Sequence, residues 1–141
     1  MSEYDTDILV WSEHQAGLLR RRAAGELVNE SDLDWPNIAE EIESVGRSEL
    51  RAVESLLVQA LLHDLKADAW PLSGYVAHWR AEARGQRSDA RRAFVPSMRQ
   101  KIDIADLYRD ALRRMPEAID GVAPLPVPDT CQATLDELLD L

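Results

Sequence analysis

Apolar residues in this chain recur at spacings of three and four from one end to the other, and nowhere do they alternate with period two for long enough to make a strand. That pattern predicts an all-α fold. Its strongest expression begins at Pro36, which suits the first turn of a helix because its missing N–H has no partner there. From Pro36 to about Ala69 the seam reads Ile38, Ile42, Val45, Val53, Leu56 and Ala60, with Leu57, Leu61 and Leu65 widening the apolar face toward the end. Such a helix is predicted to be the longest element and the centre of a bundle.

Three further main helices are predicted around it. The first runs from about Tyr4 to Ala24, with Ser2 or Asp5 as cap, Gly25 as stop and a seam of Tyr4, Ile8, Trp11, Gln15, Leu18 and Leu19. Pro71 and Gly74 then break the chain, and another helix is expected from about Tyr75 to Phe94, where Val95 precedes Pro96 and disfavours the α conformation. The last runs from about Pro96 to Met115 and carries Met98, Ile102, Ala105, Tyr108 and Leu112. Residues 121–128 hold Pro124, Pro126 and Pro128 and are predicted to form an extended connector. A short helix, Thr130 to Leu139, follows and needs docking to be stable. At 141 residues the chain is expected to form a single domain around one core, residues 1–141.

Composition narrows the function classes. A formal net charge of −10 opposes a phosphate backbone, so nucleic acid is a disfavoured partner. The single cysteine, Cys131, excludes an intrachain disulfide framework and a cysteine-rich zinc site. The acidic start Met1-Ser2-Glu3-Tyr4-Asp5 lacks the basic and apolar regions of a signal peptide, and the most apolar stretch, Leu56 to Leu62, is too short for a bilayer. No membrane and a cytoplasmic location are expected. The charge is banded: residues 26–54 carry a net −7, residues 78–101 a net +5 and residues 102–141 a net −6. The stripe Arg80, Arg84, Arg87 and Arg91 is predicted to find carboxylates on neighbouring helices or to remain solvated, with phosphate binding as the sharper alternative.

Several polar residues occupy apolar seams: Gln15 on the first helix, Glu49 and His63 on the second, Gln86 on the third. An unpaired buried polar group costs about 1–3 kcal/mol, so these demand partners. They read either as an interhelical hydrogen-bond network or, together with Glu40, Glu41, Glu43 and Arg47, as the lining of a polar ligand pocket between the first three main helices. Glu40, Glu41 and Glu43 suggest a carboxylate metal site, but the Glu-x-x-His motifs that accompany such sites are absent, since Trp11, Ala60 and Tyr75 stand three before the histidines. A single metal held by His63 and a glutamate stays open, and the sequence identifies no cofactor. Glu43 is expected to pair with Arg47 one turn on. Cys131, near the start of the last helix, has no histidine placed beside it by the sequence, and no nucleophile elbow or phosphate loop occurs. No catalytic residue can be assigned. Trp11 and Trp79 fall on seams and are expected to anchor the core, as are Trp35 and Trp70.

Four segments together carry a resemblance. They are Tyr4-Asp5-Thr6-Asp7 with Trp11 and Gln15-Ala16-Gly17-Leu18-Leu19-Arg20, then Asn37 to Glu49, then Leu61-Leu62-His63-Asp64-Leu65-Lys66, then Trp79 with Gln86-Arg87. In these the chain resembles the bacterial domain-of-unknown-function 29 family, more weakly through Pro96-Ser97-Met98-Arg99 and the proline-rich tail. It departs from that pattern in carrying Asp64 where a leucine is usual, and in lacking a clear second proline after Cys131. The resemblance implies an all-helical fold and no established activity or cofactor. The expected function is a non-enzymatic interaction protein, self-associating as a homodimer or binding a protein partner through an apolar helix face or through the C-terminal arm with Leu135, Leu138 and Leu139. The alternative is a small-ligand or metal-binding protein, conceivably an enzyme, using the polar pocket.

Overall fold

The computed structural model describes Met1–Leu141 and contains helices and turns without a strand. The helices are α1 (Glu3–Thr6), α2 (Ile8–Ala23), α3 (Trp35–Ala69), α4 (Val76–Ala93), α5 (Ile104–Arg113) and α6 (Leu135–Leu139). Four are long, as the spacing predicts, and the fold is all-helical with a short C-terminal helix after a proline-rich arm.

Boundaries depart from the sequence expectation where caps intervene. The helix expected from Tyr4 is two helices. Ser2 donates its hydroxyl to the Asp5 carboxylate at 2.8 Å and starts α1, while Asp7 leaves the helical region (φ −153°, ψ 86°) and takes the Val10 N–H on its side chain. Two N-caps five residues apart make two N-termini. The helix expected from Pro96 is likewise shortened. Pro96–Met98 is a single 3-10 turn, and Asp103 accepts the N–H groups of Ala105 and Asp106 to open α5. Thr134 and Glu137 form a capping box, so α6 begins later than Thr130. Gly25, at φ +84°, ends the α2 excursion in the left-handed region that glycine enters without a Cβ clash.

The chain divides into two compact units, Met1–Arg47 and Ser48–Leu141. In the first unit Trp11, Leu18, Leu33 and Ile38 are buried together, with Tyr4, Leu19 and Val28 against them. Ile8, Ile42 and Val45, expected on the buried seams, are exposed instead.

The second unit holds the larger core. Val53, Leu57, Val58, Leu61 and Leu65 of α3 pack with Ala90 of α4, Met98, Leu107, Tyr108 and Ala111, and with Leu138 and Leu139 of α6. The C-terminal helix is thus part of its own chain's core. The arm that leads to it is tethered as well: Trp70 donates its indole N–H to the Val122 carbonyl at 2.7 Å, Leu125 N–H bonds the Ala69 carbonyl at 2.9 Å, and the Tyr108 hydroxyl bonds the Pro128 carbonyl at 2.6 Å. Burial raises the Tyr108 pKa above its ordinary value. No helix is long and apolar enough to cross a membrane.

Candidate functional site

In the first unit, Gln15 is buried and both ends of its amide are committed. Its Nε2 donates to the Asp32 carbonyl at 3.1 Å and its Oε1 accepts the Asp34 N–H at 2.9 Å. The residue fastens the loop before α3 to α2. Asp34 completes the joint. Its Oδ2 accepts the Trp11 indole N–H at 2.9 Å and the Asn37 amide at 2.8 Å. The hydrogen bond from Asn37, with that from Trp11, holds its carboxyl below the ordinary carboxylate range.

A group whose folded pKa is depressed adds stability above its unfolded pKa, near 3.9, and loses that contribution as the pH falls through the lower folded value. The chain with Asp34→Asn keeps a side-chain oxygen for the Trp11 and Asn37 N–H groups and loses the charge. Its unfolding midpoint, followed by circular dichroism between about pH 5 and pH 2, should therefore fall less steeply on acidification than that of the unmodified chain. Parallel curves for the two proteins would show that this carboxylate carries none of the acid sensitivity.

The other polar residues of the first unit stand at its surface. Glu41 accepts the Tyr4 hydroxyl proton at 2.6 Å, and this bond, with some desolvation, pushes the Tyr4 pKa up to about 12. Arg47 bonds Glu40 at 2.6 Å and lies 3.7 Å from Glu43, the pairing expected one turn on; Glu40, Glu43 and Arg47 are exposed.

The second unit brings His63 and Gln86 together, as their seam positions suggest, but as links in a ladder. His63 Nδ1 and Gln86 Oε1 are 2.9 Å apart, which makes the ring nitrogen the donor. Gln86 Nε2 donates to Gln59 Oε1 at 3.2 Å, and Gln59 Nε2 to the Ser55 hydroxyl at 3.3 Å. Ser55, Gln59 and His63 are spaced by four along α3. That spacing is visible in the sequence, and it places the three on one face opposite Gln86. Glu49, expected on the seam, is exposed.

Beside the ladder, Asp64 receives two guanidiniums from α4: Arg80 Nη1 at 2.8 Å on Oδ1 and Arg87 Nη1 at 2.5 Å on Oδ2. Arg80 also reaches Asp68 at 2.6 Å, and the hydrogen bonds to Asp68 and Asp64 raise its pKa above the ordinary arginine value. The residue that departs from the family pattern therefore anchors half of the arginine stripe. Arg84 has no carboxylate partner, and Arg91 touches Asp140 only at 3.5 Å.

Gln15, Glu40, Glu41, Glu43 and Arg47 belong to the first unit, and His63 and Gln86 to the second. No three His, Cys, Asp or Glu side chains gather closely enough to hold a metal ion. Cys131 is half-buried and its thiol donates to the Ala133 carbonyl at 3.4 Å. Of the tryptophans, Trp11, Trp70 and Trp79 are buried, whereas Trp35 is 43% exposed with the Arg22 guanidinium over its ring.

What the seam reasoning missed is apolar. Of fourteen large hydrophobic side chains exposed on the chain, eight lie among the first 47 residues, including Ile8, Leu9, Val10, Ile42 and Val45. On α3 the stripe that is buried at Ile38 (8% exposed) continues as Ile42 (69%) and Val45 (66%), four and seven residues on. The periodicity is unbroken while the cover ends.

No curated protein matches the chain. A solved structure does: an alpha-helical protein of unknown function from Rhodospirillum rubrum, 32% identical, covering 99% of this chain and 90% of that one, with a TM-score of 0.71. The domain of unknown function DUF29 matches residues 3–141, and the chain belongs to that family.

Proposed function

We propose that this protein is a helical interaction protein, without catalytic chemistry of its own, whose binding face is the apolar stripe of α3 at Ile42 and Val45. The observation that carries the reading is the loss of cover along that stripe after Ile38. Single exposed hydrophobics are ordinary. Here, however, two of them continue a buried seam, in a unit whose own core has only four fully buried hydrophobic side chains. A unit of that size is marginal by itself and gains from covering such a face.

Charge selects the partner. The first 47 residues hold eleven acids and four arginines, and Glu41, four residues before Val45, stands beside the stripe. Two such faces repel one another, so the reading favours a different polypeptide over a homodimer through this face: an apolar helix flanked by basic residues. This reading prefers the α3 stripe to the C-terminal arm, whose Leu138 and Leu139 are buried in the chain's own core.

The test is a photoreactive residue placed at position 42 or 45 in the source cells, with position 117, at the exposed Glu117, as control. A discrete cross-linked polypeptide is expected from 42 and 45 and not from 117. Purified, it should bind about thirtyfold or more weakly to the Ile42→Glu chain, the scale of a central interface residue. Equal cross-linking from all three positions, or undiminished binding to the variant, would refute the reading.

A further inference from the structure

The arginine stripe of α4 is only half neutralised, and its free half opens on a cavity. Arg80, Arg84, Arg87 and Arg91, spaced by four, three and four, stack along one helix face. Asp64 and Asp68 occupy Arg80 and Arg87 through one side of the stripe. Arg84 lies between those two guanidiniums and has no carboxylate of its own, and like charges one turn apart on a helix repel. A cavity of about 400 Å³ opens along this face, lined by Arg84, Arg87, Ser88 and Arg91, and floored by Leu138 and Leu139 of α6.

Two acids stand on its far wall, and neither closes it. Glu137 uses its carboxylate in the capping box with Thr134, accepting the Thr134 hydroxyl at 3.1 Å. Asp140 reaches Arg91 only at 3.5 Å, and its side chain is 96% exposed, so it is a loose substitute for a better anion.

We infer that this groove between α4 and α6 is a binding site for a single phosphate group, free or carried on a small molecule. Arg84 and Arg91 supply forked N–H donors matched to phosphate oxygens, Arg87 retains the donors it does not give to Asp64, and Ser88 adds a hydroxyl. Binding displaces Asp140 and relieves the repulsion at Arg84. A nucleic-acid strand is not the ligand: the chain carries a net −10, and Glu137 and Asp140 stand at the groove itself.

Isothermal titration of the full chain at low salt, with inorganic phosphate and separately with glycerol phosphate, tests the site. Saturable binding is expected. Tighter inorganic phosphate would identify free phosphate as the ligand, a tighter ester a carried phosphate, and equal affinities a site that reads the phosphate group alone. Arg84→Gln, at an exposed position, should weaken binding about tenfold or more, and Asp140→Asn should strengthen it about threefold by removing the competitor. Arg113→Gln, a change at an exposed arginine outside the groove, should leave it unchanged. The site is refuted if neither ligand binds saturably up to about 10 mM, if Arg84→Gln binds as well as the unmodified chain, or if Arg113→Gln weakens binding as much.

Discussion

Replacing Leu139 by alanine is expected to cost about 3 kcal/mol of folding free energy, lowering the thermal midpoint by about 10 °C for a chain of this size. The side chain is only 1% exposed although it lies two residues from the last residue described, on a helix of five residues. A helix that short has no stability of its own. It persists because Leu138 and Leu139 enter the cluster formed by Val53, Leu57, Leu107 and Tyr108. Truncation leaves a hole in that cluster and releases the helix that closes it. Urea unfolding followed at 222 nm checks the figure, with Leu72→Ala as reference, since Leu72 is 99% exposed and its loss should matter by less than about 0.5 kcal/mol. Equal midpoints for the two variants would mean that α6 does not hold the core, and would return the C-terminal arm to consideration as a docking element.

Trp70→Ala is expected to have the larger effect, about 4 kcal/mol. Trp70 follows the last residue of α3, is only 3% exposed, and packs with Ala67, Ala69 and Trp79. Its indole N–H also holds the Val122 carbonyl, so one side chain both fills the end of the core and fixes the start of the proline-rich arm. Trp70→Phe separates the two roles. It keeps most of the apolar volume and removes the hydrogen bond, which predicts a loss of about 1–2 kcal/mol. If phenylalanine proved as damaging as alanine, the indole hydrogen bond would outweigh the packing, contrary to the burial seen here.

The long helices were legible because their determinants are local. The three-and-four spacing, Gly25 after α2 and the Pro71–Gly74 break after α3 each act within a few residues of the boundary they set. Asp7 acts locally too, yet its carboxylate is read as a cap only once Val10 is seen to donate to it. Seam reasoning found Gln15, His63 and Gln86, all of which the structure engages in hydrogen bonds, because a polar residue at an apolar position must be paired. It could not tell whether the partners would be ligand or chain, and here they are backbone carbonyl, backbone N–H and other side chains.

The same reasoning failed at Ile42, Val45 and Glu49 for a physical reason. Periodicity reports the face a helix presents, and says nothing of where along its length the neighbouring helices stop. Ile38 and Val53 are buried, whereas Ile42 and Val45 between them share their periodicity and are not. The arginine stripe shows the complementary case. Banding of charge announced that α4 would seek carboxylates, but only the fold shows that Asp64 serves two arginines and leaves Arg84 unserved.

The central claim is that Ile42 and Val45 serve a partner and not the fold. Its most direct test is the unfolding free energy of the chain carrying both Ile42→Glu and Val45→Glu, measured alone and with the polypeptide that cross-links to position 42. Alone, the double variant should match the unmodified chain to within about 1 kcal/mol, because neither side chain is covered. With the polypeptide at a hundred times its dissociation constant, the unmodified chain should gain about 2.7 kcal/mol and the variant nearly nothing. A variant that is several kcal/mol less stable alone, or one stabilised as fully as the unmodified chain, would contradict the account.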